Sequence, residues 1–147
     1  MDRHAVKTFP DLPRMVPGPM QGGERTYDLL DNLVMPDGWI VPAGFRTDGA
    51  SIPKPAQPII GAHDGPFFPA AIGHDDRYQR SQQTRREVDL LFLSDMRACG
   101  VGFFRRHAMY RAVRIGAGPA WRKYHRGMEQ GGITGFGRKR RRWRKRR

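Results

Sequence analysis

The sequence predicts a small single α+β domain, a β-hairpin or small antiparallel sheet packed against two or three helices, with an extended N-terminal arm and a basic C-terminal tail. Three observations carry that expectation. A capping-box signature, Thr84-Arg85-Arg86-Glu87, opens a segment of helical apolar periodicity. The turn Pro36-Asp37-Gly38 separates two apolar groups in the manner of a hairpin. A chain of 147 residues with 12 Pro and 18 Gly has room for one compact body with many turns and few long elements.

Residues 1–26 hold Pro10, Pro13, Pro17 and Pro19 with Gly18, Gly22 and Gly23, and show neither helical nor strand periodicity. An extended arm is expected there, serving as a tether or lying along a neighbouring subunit. The globular domain is expected over 27–126. Its hairpin strands are residues 27–35 (YDLLDNLVM) and 39–41. Residues 45–53 follow, where Asp48, Gly49 and Ser51 have the chemistry of a tight turn closed by side-chain-to-backbone hydrogen bonds. With Thr47 they are also what a small oxygen-ligand metal site would use. Residues 54–69 hold four prolines and two glycines, too many for a regular element, so His63-Asp64 reads as a solvated loop.

A first helix is expected after Pro66, ending around residues 80–83. Ala71, His74, Asp75 and Tyr78 fall at i, i+3, i+4 and i+7, so one stripe carries an imidazole, a carboxylate and a phenol where a core-facing stripe should be aliphatic. Such groups are buried only with partners, and they concentrate at functional sites. The second helix runs from Arg85 to Cys99 with Gly100 as its stop, and Cys99 reads as a small core residue. Asp89, Phe92, Leu93 and Met96 share one of its faces. In an antiparallel pair, Asp89 lies opposite the end of the first helix, where His74 or Tyr78 can meet it; alternatively it only favours the helix N-terminus. A third helix is expected over 103–115, with Arg105, Arg106 and Arg111 on its outer side, interrupted by Gly116, Gly118 and Pro119. His107 reads as a packed or surface residue.

Residues 127–137 form an expected Gly-rich linker before the terminal tail of Arg138, Lys139, Arg140, Arg141, Arg142, Trp143, Arg144, Lys145, Arg146 and Arg147. Of the net charge of +13, most is this tail: it holds nine of the 27 basic residues, leaving 18 against 14 acids. The tail self-repels unless nucleic acid or an acidic protein surface neutralises it, and it offers nothing that could read base edges. The N-terminal segment lacks the apolar run of a secretory signal, and nothing approaches the ~20 apolar residues of a membrane span. A soluble protein made in the cytoplasm, not secreted by a signal peptide, is expected.

Three motifs stand in order: Val41-Pro42-Ala43-Gly44-Phe45-x-Thr47-Asp48-Gly49-Ala50-Ser51-x-Pro53, Ala70-Ala71-x-x-His74-Asp75-x-x-Tyr78, and Asp89-x-x-Phe92-x-x-x-Met96. Together they resemble the domain-of-unknown-function family 1353, over about residues 27–121. The resemblance implies a protein of tailed bacteriophages or prophage regions, without a settled activity. The middle motif also resembles the helix of phospholipase A-two enzymes. That analogy maps a general base to His74, a calcium ligand to Asp75 and an orienting acid to Asp89, with Asp48 able to complete an oxygen site for a divalent cation such as calcium. The chain lacks the paired cysteines and the glycine-rich calcium loop of those enzymes. A Ser51–His74–Asp89 triad would lack the Gly-x-Ser-x-Gly elbow. The plainer alternative is a buried network of Asp48, Ser51, His74, Asp75, Tyr78 and Asp89 that fixes the fold without chemistry.

The first expectation for function is therefore a phage virion or assembly-associated protein. It would be made in the host cytoplasm and contact other virion proteins or further copies of itself through its arms. The alternative is a small hydrolase of lipid or cell-wall bonds with His74 as base, and a third option is a nucleic-acid-binding accessory protein of infected cells.

Overall fold

The structure is a computed structural model that describes residues 6–48 and 65–130, with side chains through His125. Six strands precede four helices among the described residues: β1 (Val6–Thr8), β2 (Met15–Gln21), β3 (Glu24–Leu29), β4 (Asn32–Val34), β5 (Ile40–Val41), β6 (Arg46–Thr47), α1 (Phe68–Arg80), α2 (Arg85–Ala98), α3 (Phe103–Gly116) and α4 (Gly118–Gln130). The α+β class expected from the sequence is what the chain adopts. The strands make two small sheets, ordered β1-β4-β5 and β2-β3-β6.

The segment expected as an arm supplies a strand to each sheet. β1 pairs in parallel with β4, Val6 opposite Asn32, and β2 pairs antiparallel with β3, Met15 opposite Leu29. Periodicity is weak in β2 because it is an edge strand, where proline is tolerated, the register shifts between Pro17 and Met20, and most side chains face solvent. Gly22 and Gly23 form the intervening turn with φ of 58° and 84°, the two left-handed positions that a two-residue hairpin of matching twist requires.

The expected hairpin keeps its turn and loses its continuous first strand. β4 and β5 are antiparallel around Pro36-Asp37-Gly38, with Leu33 opposite Val41, but the chain breaks at Leu30-Asp31, so that β3 and β4 enter different sheets. Asp31 makes that corner. Fully buried, it accepts the Arg14 backbone amide at 2.9 Å and its guanidinium Nη2 at 2.8 Å. Those bonds from Arg14 hold its carboxyl down at about 2.

α1 lies between two apolar clusters and is buried along most of its length, the condition of a helix that packs on both sides. Phe68 and Ile72 join Leu29, Leu33, Met35 and Val41 beneath the sheets. Ala70 and Ala71 join Phe92, Met96, Val101 and Met109 from α2 and α3. Gly73 lets the Met35 side chain reach the α1 backbone: a Cβ there would overlap Met35 Cε and lie 2.8 Å from its Sδ. The buried Arg77 ties the parts together, donating from Nη1 to Asp95 of α2 and from Nη2 to Asp37 of the hairpin turn, both at 2.7 Å.

The capping box is present, with Thr84 N donating to Glu87 Oε2 at 2.7 Å and Glu87 N donating to Thr84 Oγ1 at 3.3 Å. α2 stops at Gly100, whose φ of 78° permits the paired bonds Val101 N to Met96 O and Gly100 N to Arg97 O. Gly116-Ala117-Gly118 interrupts α3 as expected, but Pro119 opens a further helix rather than a loop, as proline can in a first turn. Residues 127–130 of the expected linker therefore belong to α4, while the rest of the linker and the tail lie outside the described residues.

Candidate functional site

The short α1–α2 connection folds the two helices antiparallel, which brings the first turns of α2 against the second half of α1. His74 and Tyr78, one turn apart on α1, both reach Asp89 of α2. His74 Nε2 is 2.8 Å from Asp89 Oδ1, and the Tyr78 hydroxyl donates to the same oxygen at 2.6 Å. From the last turn of α3, Arg114 Nη1 donates to Asp89 Oδ2 at 2.7 Å, and Arg85 Nε lies 3.7 Å from that oxygen. One fully buried carboxylate thus joins three helices.

Burial alone would raise the pKa of Asp89, but its bonds to His74, Tyr78 and Arg114 outweigh that and hold the carboxyl below its usual value. Burial pulls the His74 imidazole below its ordinary value against the opposing pull of Asp89, so the ring is neutral near pH 7. A carboxylate can only accept, so Nε2 carries the ring proton and the lone pair resides on Nδ1. Burial, and next the bond to Asp89, push the Tyr78 phenol up, which keeps it a donor. Phe92 packs on the imidazole at 4.6 Å between centroids, and Trp121 of α4 meets Tyr78 edge-on at 5.0 Å. His125 Nε2 stands 2.8 Å from the Tyr78 carbonyl.

Asp75, the next residue on α1, turns towards the β2-β3-β6 sheet. Thr47 Oγ1 donates to its Oδ2 at 2.8 Å, and it hydrogen-bonds the Asp48 carboxyl. Burial, and then the charge of Asp48, push Asp75 up to about 8, so the pair holds a proton at neutrality. A cavity of about 310 Å³ opens between these groups and the third and fourth helices. His74, Asp75, Asp48, Thr47 and Arg46 line its polar side; Phe92, Met109, Val113, Ala117 and Ala120 line the other.

Of the residues singled out in the sequence, His74, Asp75, Asp48 and Tyr78 line this cavity, Asp89 stands behind His74 and Tyr78, and both its expected partners engage it at once. Ser51, His63, Asp64 and the tail residues 138–147 lie outside the described residues. Sequence reasoning missed Arg114, a fourth arginine on a helix whose other three read as its outer side, and Arg85, which also donates to the Val113 and Arg114 carbonyls. Hard oxygen donors suit a divalent cation, and Asp48, Asp75 and Thr47 supply part of the six to eight that calcium takes. Among the described residues no group of three or more His, Cys, Asp or Glu could hold a metal ion, and no helix is long and apolar enough to cross a membrane.

Two curated relatives are similar over the central part of the chain, both from Sinorhizobium fredii (strain NBRC 101917 / NGR234). The uncharacterized protein y4jT is 39% identical over 84 residues, covering 56% of this chain and 25% of the relative. The uncharacterized protein y4iH is 35% identical over 86 residues, covering 57% of this chain and 35% of the relative. The matched region therefore spans a quarter to about a third of these longer proteins. No solved structure matches the chain significantly. The profile of one family matches residues 28–113, which contain His74, Tyr78 and Asp89 but end one residue before Arg114, and by that match the chain belongs to the family described as protein of unknown function DUF1353.

Proposed function

We propose that this domain is a small hydrolase of a lipid or cell-wall ester or amide bond, with His74 as general base. The observation that carries this reading is the His74–Asp89 contact of 2.8 Å at the wall of an open cavity. A neutral imidazole, with Nε2–H tied to a carboxylate, has its Nδ1 lone pair free to take a proton from water as the water attacks a carbonyl carbon. Asp89 stabilises the imidazolium so formed, and the same proton then passes to the leaving group. Asp48 and Asp75 are the residues that would hold a divalent cation such as calcium, whose charge would favour an oxyanion on the substrate.

The test is hydrolysis of phospholipid and peptidoglycan substrates by the full chain, with calcium and with chelator. His74→Ala is expected to lose roughly 10²–10⁴-fold in rate while keeping the wild-type circular dichroism. An unchanged rate in that variant, or no hydrolysis by the wild type under either condition, overturns the reading.

A second reading concerns where the domain works, and the terminal RKRRRWRKRR favours it. A virion or assembly-associated protein of a tailed phage, made in the host cytoplasm, would use this tail on packaged nucleic acid or on an acidic protein neighbour. Quantitative mass spectrometry of purified particles tests it: a reproducible copy number relative to the major capsid protein supports it, and absence from particles refutes it.

A further inference from the structure

Helix α3 has an inner and an outer face with different chemistry. Met109 is buried in the helical core, and Ala112 and Val113 pack against the same cluster. On the other side, Phe104 and Ile115 are 87% and 86% exposed, more than any other large hydrophobic residue among those described. Single exposed apolar residues are ordinary, but these two form a stripe. With 100° per residue, Phe104, Arg111 and Ile115 fall within an arc of about 40°, and the stripe is about 16 Å long. Phe103, itself 57% exposed, meets Phe104 edge-on at 5.5 Å, so the stripe begins in an aromatic knob.

The charge around this stripe has one sign. Residues 96–128 contain eight Lys and Arg and no Asp or Glu. Arg111, Arg122 and Lys123 are exposed. A second copy of the chain would bring like charges together across the stripe. Nucleic acid would satisfy the cations but leave the Phe104 ring and the Ile115 side chain against phosphates and water.

We infer that the Phe104–Arg111–Ile115 face of α3 docks on an anionic lipid bilayer. Headgroup phosphates meet Arg111 and the neighbouring cations, and the two apolar side chains enter the boundary between headgroups and acyl chains. The cavity is lined by Met109 and Val113 from the opposite face of α3, so docking sets this helix between the lipid and the cavity. The inference stands whether or not His74 is catalytic.

The test is partitioning of the full chain onto vesicles of phosphatidylglycerol and phosphatidylcholine, 1:1, and of phosphatidylcholine alone, in 0.15 M salt. The basic tail is the same in wild type and variants, so differences between them read the α3 face. The double variant Phe104→Ser/Ile115→Ser is expected to partition roughly tenfold or more weakly onto the anionic vesicles. Arg111→Glu, which disturbs no packed group, is expected to weaken it as well, and neutral vesicles should bind far less in every case. Circular dichroism and melting temperature report whether the variants remain folded. Equal partitioning of both variants and wild type overturns the inference, as does equal binding to neutral vesicles. A loss of duplex DNA binding in the double variant, with vesicle binding unchanged, also overturns it and assigns the face to nucleic acid.

Discussion

Asp89→Asn replaces one oxygen of a fully buried carboxylate by an NH₂ group and changes little in volume. In the wild type, Oδ1 accepts from His74 at 2.8 Å and Tyr78 at 2.6 Å, and Oδ2 accepts from Arg114 at 2.7 Å. An amide has one acceptor oxygen, so either Arg114 or the His74–Tyr78 pair then faces a donor. Breaking a buried charge pair costs about 3–5 kcal/mol, and the Arg114 side chain, 34% exposed, regains some hydration, which favours the lower end. For a chain of this size that is a fall of roughly 10 °C in melting temperature. If the amide nitrogen turns towards His74, it donates to Nε2 and moves the ring proton to Nδ1, removing the lone pair proposed as the base. Hydrolysis should then fall by about 10²–10⁴-fold even at temperatures where the variant is folded. Tyr78→Phe is the control: it removes one O–H donor, costs about 1 kcal/mol and leaves both charges paired. Scanning calorimetry and rate measurements at 20 °C read the two effects separately. An Asp89→Asn variant that melts like the wild type would refute the three-helix carboxylate; one that melts lower but hydrolyses at the wild-type rate would refute the role given to His74.

Three further outcomes are expected. Because Asp75 is raised from 3.8 to about 8, the folded chain keeps a proton that the unfolded chain releases. Its contribution is complete below about pH 4 and is lost as pH rises through 8, by at most about 1.4 kcal/mol per unit; Asp75→Asn should flatten the fall in melting temperature from pH 5 to 8, and an unchanged slope counts against the assignment. Gly73→Ala sets an overpacking cost of about 1–3 kcal/mol at the end of the Met35 side chain against a helix-propensity gain of about 1 kcal/mol, so a net loss of at most about 2 kcal/mol is expected, and Met35→Ala in the same chain should relieve the overlap and show as coupling in a double-mutant cycle measured by urea unfolding. Thr84→Ala removes the capping hydroxyl of α2 and should cost about 1 kcal/mol in the same assay, without changing the unfolding slope.

The helix pair was legible because its signals are local. A capping box, a glycine stop and an apolar stripe each act within a few residues, and α2 spans Arg85–Ala98 as those signals require. The meeting of His74, Tyr78 and Asp89 followed from them, since an antiparallel pair with a short connection leaves little freedom. The sheets were not legible in this way. β1 and β4 lie 26 residues apart in register, Val6 against Asn32, and nothing in three-residue strands announces such a partner. The break at Leu30-Asp31 depends on Arg14, a residue 17 positions away. Arg114 was missed for the same reason: its charge is neutralised by a residue 25 positions earlier, on another helix.

The junction at Asp89 has a consequence for reading other members of the family. One side chain closes the contact between three helices, so a chain that had abandoned any chemistry would still keep an acid there to stay folded. Retention of that acid is then a mark of descent and not of use. Asp48 and Asp75 are different, because two carboxylic acids pressed together weaken the fold as pH rises and stabilise nothing that a neutral pair would not. Under the proposed hydrolysis, a relative with asparagine or threonine in place of that pair is expected to keep the fold and lose the activity.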